Sequence, residues 1–357
     1  MKKNILITIA LVAGSLFALA QPERVGQAGA QELLINTMPR SSGLNGIDIA
    51  SSDGIESSMV NPAGVAKTSG TELMFAHALW LVGTDIQVNT FGFSQNLGES
   101  GGVLGFQVNS FSLGEFVRTT VDQPDGTLGT FSPTYLNLGL TYAKKFTDRI
   151  HVGFTTRIIH ESTPEVIANG VAFDAGIQYR SGEKERLKLG IALRNVGPTM
   201  RFGGDGLAGR VPIKTNNKFT STINIPTAEF ELPTSLSMGG SYDLFLGSNN
   251  TVSVTAAFIS NSFYNNQGGL GLSYKYKEYV ILRGSFLYEN GIFDEIYNGR
   301  FNAHTGISTG ATFQVPFKTG KFDNAGNEEF SSFSLDMSYR TSNPFGGTFV
   351  FGARIDI

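Results

Sequence analysis

Short runs in which apolar and polar residues alternate recur along most of this chain, and they constrain its fold more than any other feature. In residues 187–194 the odd positions are Leu, Leu, Ile and Leu, and the even positions are Lys, Gly, Ala and Arg. Residues 270–276 and 333–340 alternate in the same way. Successive side chains of a β-strand point to opposite faces, so each run predicts a strand with one apolar and one polar face.

The runs number about fourteen, and each is close to the ~9–11 residues that a tilted strand needs to cross a bilayer. An even number of such strands is typical of bacterial outer-membrane barrels. We therefore predict an all-β fold, a transmembrane antiparallel β-barrel of about fourteen strands over residues 71–357. The predicted strands cover residues 71–81, 84–95, 102–113, 134–145, 149–160, 169–180, 186–195, 232–245, 250–260, 267–276, 279–288, 303–315, 330–340 and 347–357.

The connections between the runs support this interpretation, because outer-membrane barrels have short periplasmic turns and longer outer loops. Short turns are predicted at residues 147–148, 181–185, 247–249 and 277–278, and long outer connections at residues 114–133 and 196–231. Two connections depart from the pattern: the outer turn near residues 82–83 is tight, and the periplasmic link over residues 316–329 is long. Aromatic residues near strand ends predict a membrane girdle, namely Tyr135, Tyr142, Tyr242, Tyr279, Tyr288 and Phe317.

The last run, residues 347–357, ends at the last residue of the sequence. Such an apolar edge strand would be a template for aggregation unless it paired with another strand, so we predict that it pairs with the first strand and closes the barrel. Its apolar face holds Phe349, Phe351, Ala353, Ile355 and Ile357, and its polar face Thr348, Val350, Gly352, Arg354 and Asp356. Gly352, Ile355 and Ile357 also resemble the C-terminal signal that the barrel assembly machinery recognises, although its usual last residue is Phe.

The N-terminus has the pattern of a secretory signal peptide, residues 1–20. Lys2 and Lys3 precede an apolar run over residues 5–17, and Ala18-Leu19-Ala20 fits a cleavage site before Gln21. We therefore expect an integral outer-membrane protein, surrounded by outer-membrane lipid, after cleavage near Ala20. The sequence has no Cys, so disulfide and thiolate chemistry are not available.

Composition and motifs give little support for catalysis, cofactors or nucleic-acid binding. A net charge of -3 with 16% charged residues leaves no basic stripe for phosphates. Residues 204–209 spell G-x-G-x-x-G, but Pro212 follows where a dinucleotide site needs a helix. His77, His151, His160 and His304 lack metal-ligand spacing, and no serine has a recognisable base. We expect no enzymatic activity, no cofactor and no metal.

Residues 21–70 lack the alternation and read as an irregular, packed segment. A barrel of about fourteen strands would leave a lumen wide enough to leak unless something filled it. We therefore predict that this segment is an N-terminal plug, with a periplasmic tail as the alternative. Arg40 could pair with a lumenal carboxylate such as Asp336.

The same segment resembles the start of the PorV/PorQ family, which belongs to the type IX secretion system of Bacteroidetes and is related in fold to FadL-like fourteen-stranded barrels. The resemblance rests on residues 33–35, on Arg40 and Gly43 in residues 39–44, on Asp53, and on Asn61-Pro62-Ala63 within residues 61–66. It extends to the barrel in outline, through residues 189–190 and 195–197. The family's Arg-Ala is Arg40-Ser41 here, and its Gly-Met-Gly is residues 43–45 followed by Gly46.

The resemblance implies an outer-membrane component of the type IX secretion system. Its partners would be translocon or attachment-complex proteins, or the C-terminal domains of cargo, bound at the outer loops. One alternative is a FadL-like channel for small hydrophobic molecules, although the charges Lys188, Arg194, Lys275, Asp336 and Arg340 predict a polar lumen. Another is a purely structural barrel.

The longest loop, residues 196–231, is the candidate partner surface. It carries Met200, Phe202, Leu207, Val211, Ile213 and Phe219, which have no evident core of their own. The alternative is that it folds inward as a gate. For the barrel wall, we expect Leu335→Arg on the lipid face to be costly and Asp336→Arg, one residue on, to be much milder.

Overall fold

A computed structural model of the chain describes residues 24–98, 100–212, 220–295, 300, 302–322 and 328–357. The signal-peptide prediction therefore lies outside the described residues. The regular elements before the barrel are short, a one-turn α-helix over Pro39–Ser42 and 3₁₀ helices over Gln31–Leu34, Ile55–Met59 and Pro62–Lys67. Two further 3₁₀ turns, Glu183–Glu185 and Asp205–Leu207, lie in connections.

Within the described residues, fourteen strands form one closed antiparallel barrel, which confirms the predicted fold class. They are β1 (Thr71–Trp80), β2 (Ile86–Asn96), β3 (Val103–Ser112), β6 (Thr134–Lys145), β7 (Ile150–Ser162), β8 (Ile167–Ser181), β9 (Leu187–Val196), β12 (Ser235–Leu246), β13 (Asn250–Asn261), β14 (Gln267–Tyr276), β15 (Val280–Glu289), β16 (His304–Phe322), β17 (Glu328–Ser342) and β18 (Thr348–Asp356). Two small hairpins lie outside the barrel, β4 (Phe116–Val117) with β5 (Thr130–Phe131), and β10 (Ala208–Pro212) with β11 (Thr220–Asn224).

The barrel closes as the C-terminal pattern predicted. β18 pairs antiparallel with β1, and Leu79 lies opposite Phe349 in the register. On the inner face of β18, Thr348 and Val350 have no exposed surface, whereas Phe351 on the outer face is 44% exposed. Closure leaves no free strand edge, so the backbone hydrogen bonds of the sheet are satisfied in a bilayer.

Each end of the barrel has its own class of connection. One end, called the loop end, carries the long connections 113–133, 197–234 and 290–303. The other, called the turn end, carries short ones such as 146–149 and 247–249, together with the start of β1 and the end of β18. Under the rule of short periplasmic turns, the prediction is that the loop end faces the outside.

Two predictions about the wall were wrong. The predicted long link over residues 316–329 is largely strand, since β16 continues to Phe322 and β17 begins at Glu328. Tyr135 was predicted in the outer girdle, but it is half-buried and packs against an interior apolar cluster. Tyr142, Tyr242, Tyr279, Tyr288 and Phe317 are exposed on the outside, between 40% and 47%.

Residues 204–209 form a 3₁₀ turn and enter β10 rather than a helix, so they do not have the geometry of a dinucleotide site. No helix in the part of the chain that the structure describes is long and apolar enough to cross a bilayer.

Candidate functional site: the filled lumen and the cavity at its loop end

The segment before the barrel lies inside the lumen. We call residues 24–70 the plug and the fourteen strands the wall. Met38, Ile47, Ile49, Ile55 and Val65 of the plug have no exposed surface. The strand side chains that face the lumen are mainly polar, so the plug has an apolar centre and contacts a mainly polar inner surface of the wall.

The sequence element Asn61-Pro62-Ala63 lies against the wall at β7 and β8. The side chain of Asn61 accepts a hydrogen bond from the backbone N–H of Ala63 and thereby caps the helix that begins at Pro62. Its amide nitrogen donates to the carbonyl oxygen of Ile49 in the plug, at 2.8 Å, and to that of Ile177 in the wall, at 3.1 Å. One side chain thus joins two parts of the plug to β8.

Glycines in the wall make this approach possible. A Cβ atom on Gly176 would lie 1.9 Å from Oδ1 of Asn61, and one on Gly153 would lie 2.3 Å from the backbone of Pro62. Gly153 and Gly176 are opposite each other in the β7–β8 register. Any side chain at either position would displace the plug, so these two glycines form a flat seat for residues 61–63.

A buried ion-pair cluster ties the other half of the plug to β17. Nε of Arg40 lies 3.0 Å from Oδ1 of Asp336, the pairing that the sequence suggested, and 3.8 Å from Oε2 of Glu56. The Arg40 guanidinium also donates to Oγ of Ser334 at 3.0 Å. Burial raises the pKa of the Glu56 carboxyl to about 7, with Arg40 opposing the rise and Asp336 adding to it.

The other motif residues of the plug lie in two places. Gly43 faces the wall, where an added Cβ would lie 3.1 Å from Cα of Gly310. Ala63 has no exposed surface. Asp53 lies towards the turn end, in the lining of a cavity of about 600 Å³ that Arg354 and Asp356 also border.

A second cavity, of about 310 Å³, lies between the plug and the wall at the loop end. We call it the loop-end cavity. Its apolar lining comes mainly from Leu34, Ile35, Trp80, Ile259 and Leu287. Its polar lining includes Asn45, Arg194, Gln267, Glu289, His304 and Arg340. The sequence analysis placed Arg194 and Arg340 in the lumen, but no sequence pattern indicated that they share a cavity with Trp80 and His304.

The predicted partner-loop residues are only in part at the surface. Met200 is 2% exposed and packs with Leu33 of the plug and Leu232, and the half-buried Phe202 lies against Phe230 with ring centroids 5.6 Å apart. Leu207 is half-buried. The side chains of Val211, Ile213 and Phe219 lie outside the described part of the structure. Met200 and Phe202 therefore pack inward, in a cluster that includes Leu33 of the plug, instead of lying at the surface of the loop.

The C-terminal assembly signal remains a prediction. Ile357 is 54% exposed at the turn end, and Gly352 faces the lumen, where an added Cβ would lie 2.7 Å from Cγ of Pro39. Among the described residues there is no group of three His, Cys, Asp or Glu side chains that could hold a metal ion.

Comparison with known proteins defines the fold further. No protein-family model matches the chain, and the search of curated proteins gives no match. Among solved structures, a TodX deltaS2S3 mutant, a monoaromatic hydrocarbon channel, has a TM-score of 0.51 at 11% identity, covering 89% of this chain and 97% of that one. A Pseudomonas aeruginosa FadL homologue gives 0.49 at 11% identity, covering 90% and 98%. The Ralstonia pickettii toluene transporter TbuX gives 0.48 at 15% identity, covering 89% and 96%. The barrel fold of this chain is therefore similar to that of the TodX mutant.

Proposed function

We propose that the protein is an outer-membrane channel that admits small molecules with an apolar group. The observation that carries this proposal is the loop-end cavity, which lies between plug and wall at the end with the long loops. Its volume of about 310 Å³ is within the ~300–1,000 Å³ of small-molecule sites. The description of the TodX mutant as a hydrocarbon channel supports the proposal, as does the shared fold.

The plug separates the entrance from the exit. The loop-end cavity and the cavity of about 600 Å³ near the turn end, which Asp53 borders, share no lining residue. In this proposal, a molecule that enters at the loop end reaches the turn end by displacing part of the plug.

A reversible lock between plug and wall tests this route. Thr37 of the plug and Thr90 of β2 are both fully buried, with their hydroxyl oxygens 2.7 Å apart. Since the sequence has no Cys, Thr37→Cys with Thr90→Cys creates one thiol pair at a plug–wall contact. We expect cells carrying the oxidised variant to take up labelled toluene slowly, and a reductant to restore the uptake of the natural protein.

The matched control locks two strands to each other instead. Thr141 and Thr155 are opposite in the β6–β7 register, and their hydroxyl oxygens are also 2.7 Å apart. The pair Thr141→Cys with Thr155→Cys should leave uptake unchanged in both redox states. Equal uptake by locked cells, reduced cells and cells without the protein would overturn the channel proposal.

The second candidate is a type IX secretion component, which the residue resemblance in the plug suggests. Two structural observations favour it: buried ion pairs hold the plug, and apolar side chains are exposed on a loop-end hairpin. Phe116 and Val117 of β4 are 47% and 57% exposed, and Val121 beyond them is 99% exposed. Translocon or attachment-complex proteins, or cargo C-terminal domains, would bind there. Neither candidate requires catalysis.

Removal of the exposed hairpin distinguishes the two candidates. Replacement of residues 115–131, which contain both strands of the hairpin, by a short Gly-Ser linker should abolish cargo secretion, and the capture of a purified cargo C-terminal domain, if the hairpin binds secretion partners. The same variant should keep normal toluene uptake. Unchanged secretion and capture would remove the hairpin as a partner surface.

A further inference from the structure

The loop-end cavity is lined by two arginines, Arg194 and Arg340, that form no salt bridge among the described residues. Among the described residues, neither Arg194 nor Arg340 has a carboxylate oxygen within 4.0 Å, whereas Arg157 has one carboxylate partner and Arg40 and Arg354 have two each. Arg340 is 8% exposed, and its Nε donates to Oδ1 of Asn45 at 3.0 Å. Arg194 donates to the carbonyl oxygen of Met59.

The cavity also has one carboxylate, Glu289, which attracts Arg340 electrostatically but makes its hydrogen bonds to two side-chain amides and no salt bridge with Arg340. Oε2 of Glu289 accepts from the side-chain amides of Gln267, at 2.7 Å, and Asn302, at 3.4 Å. Buried Arg283 and Arg300 also lack carboxylate partners among the described residues, but they donate to Thr312 and Asn343 and do not border the cavity. The charged lining of the cavity thus has a net positive balance of one, from two arginines and one glutamate.

An unsatisfied buried imidazole lies in the same lining. His304 is only 7% exposed, and neither of its ring nitrogens makes a hydrogen bond of normal geometry. The backbone of Thr341 lies near the ring but outside that geometry. Buried polar groups usually make hydrogen bonds, so a buried imidazole that makes none and lies beside a cavity indicates that a ligand in the cavity completes its hydrogen bonding.

We infer that the loop-end cavity binds a small organic anion, a carboxylate with a compact aromatic or aliphatic group. The guanidinium groups of Arg194 and Arg340 would hold the carboxylate by charge-assisted hydrogen bonds. Trp80, whose ring meets that of His304 edge-on at 5.0 Å, would lie against the apolar group with Leu34 and Leu287. This inference rests on the proposed function and names the class of molecule that the channel admits.

The experiment uses the single tryptophan of the chain. Because Trp80 lines the cavity and the sequence has one Trp, its fluorescence reports occupancy of the cavity directly. The purified full chain in detergent is titrated with phenylacetate, with neutral phenylacetamide and with cationic phenethylamine, which have similar sizes. We expect the anion to bind about tenfold or more tightly than either of the others, since hydrogen bonds to charged groups are the stronger ones.

Variants test which residues are responsible. Arg340→Gln and, separately, Arg194→Gln should each weaken phenylacetate binding by about tenfold while leaving phenylacetamide binding unchanged. Lys275→Gln removes a positive charge near the turn end and should change neither. If one arginine variant fails to fold, the other variant and the preference of the natural protein still decide the question. Equal binding of phenylacetate and phenylacetamide, a preference for phenethylamine, or unchanged phenylacetate binding in a folded Arg194→Gln variant would overturn the inference.

Binding and transport can be told apart. Anion-selective quenching of Trp80 without toluene uptake would support the anion site and reject the channel. Uptake that depends on reduction of the plug lock, with no anion preference, would reject the anion site and leave the channel.

Discussion

Removal of the Arg40 guanidinium is the sharpest test of how the plug is held. Arg40→Met keeps most of the side-chain volume and eliminates the charge. The side chains of its two carboxylate neighbours, Asp336 and Glu56, are 4% and 5% exposed. They would therefore remain buried without their nearest counter-charge, with only the more distant Arg354 and Arg283 left, which is the costly outcome for a broken ion pair.

The structure sets the size of the effect. Loss of one partner from a buried pair typically costs about 3–5 kcal/mol. Asp336 keeps hydrogen bonds from the hydroxyls of Thr312 and Ser334, and a proton can neutralise it. We therefore expect a loss near the lower limit, about 3 kcal/mol in the free energy of unfolding at pH 7. Adding Asp336→Asn to Arg40→Met should restore roughly 1–3 kcal/mol, since it removes the unpaired charge.

Urea unfolding in lipid vesicles measures both quantities, with Trp80 as the fluorescent reporter. Limited proteolysis of the folded barrel measures release of the plug, which we expect in the single variant and much less in the double variant. The control is Lys275→Gln, which breaks an exposed pair with Glu278 and should change stability by less than about 1 kcal/mol. A loss below about 1 kcal/mol for Arg40→Met, or a double variant no more stable than the single one, would refute the reasoning.

Three further predictions concern the wall and the plug. Leu335 lies at the centre of β17 and is 51% exposed, so Leu335→Arg should lower the free energy of unfolding by roughly 2–4 kcal/mol. Asp336→Arg should lower it at least as much, because it removes the buried partner of Arg40 and places a second positive charge beside it. Urea unfolding of both variants measures this, and a loss of stability for Asp336→Arg that equals or exceeds that of Leu335→Arg would contradict the milder effect that the sequence predicts. Gly176→Ala should release the plug to protease, because the new methyl group would lie 1.9 Å from a plug oxygen, whereas Gly284→Ala, with no atom within 4 Å, should not. Burial, together with the neighbouring Glu161 carboxylate, raises the pKa of Glu32 from 4.5 to about 7. The folded protein then holds a proton that the unfolded chain has lost, so the free energy of unfolding should fall as the pH rises from 4.5 to 7. Glu32→Gln should flatten that fall in unfolding measured at pH 5 and 8.

The strands could be predicted from the sequence because the two sides of the wall differ in solvent. A lipid-facing position must be apolar and a lumenal one can be polar, so alternation marks each strand closely; the prediction over residues 134–145 coincides with β6. The same reasoning failed over residues 316–329. There β16 and β17 continue beyond the alternating region, and Pro316, which pairs with Ser332, is a residue that usually indicates a strand end.

The site was less predictable, because the plug has no period from which contacts could be deduced. Opposite charges made the pairing of Arg40 with Asp336 reasonable in advance, but nothing in the sequence indicated that Asn61 reaches the carbonyl of Ile177 in β8. The lining of the loop-end cavity comes from strands that are distant in sequence, such as β1 at Trp80 and β16 at His304. Their proximity is a consequence of barrel closure rather than of any local pattern.

The distribution of plug contacts indicates which part of the plug could move. Arg40 and Asn61 hold the plug to β17 and β8, and each contact is buried and costly to break. By contrast, the hydrogen bonds of Ile35 and Asn36, which border the loop-end cavity, go to Glu32 and Ser41 within the plug. Displacement of the whole plug would break all the buried wall contacts together. A shift of the segment around Ile35 and Asn36 would break neither the Arg40 contact with β17 nor the Asn61 contact with β8. A passage from the loop-end cavity would therefore open there, next to the Thr37 contact that the disulfide lock is designed to hold.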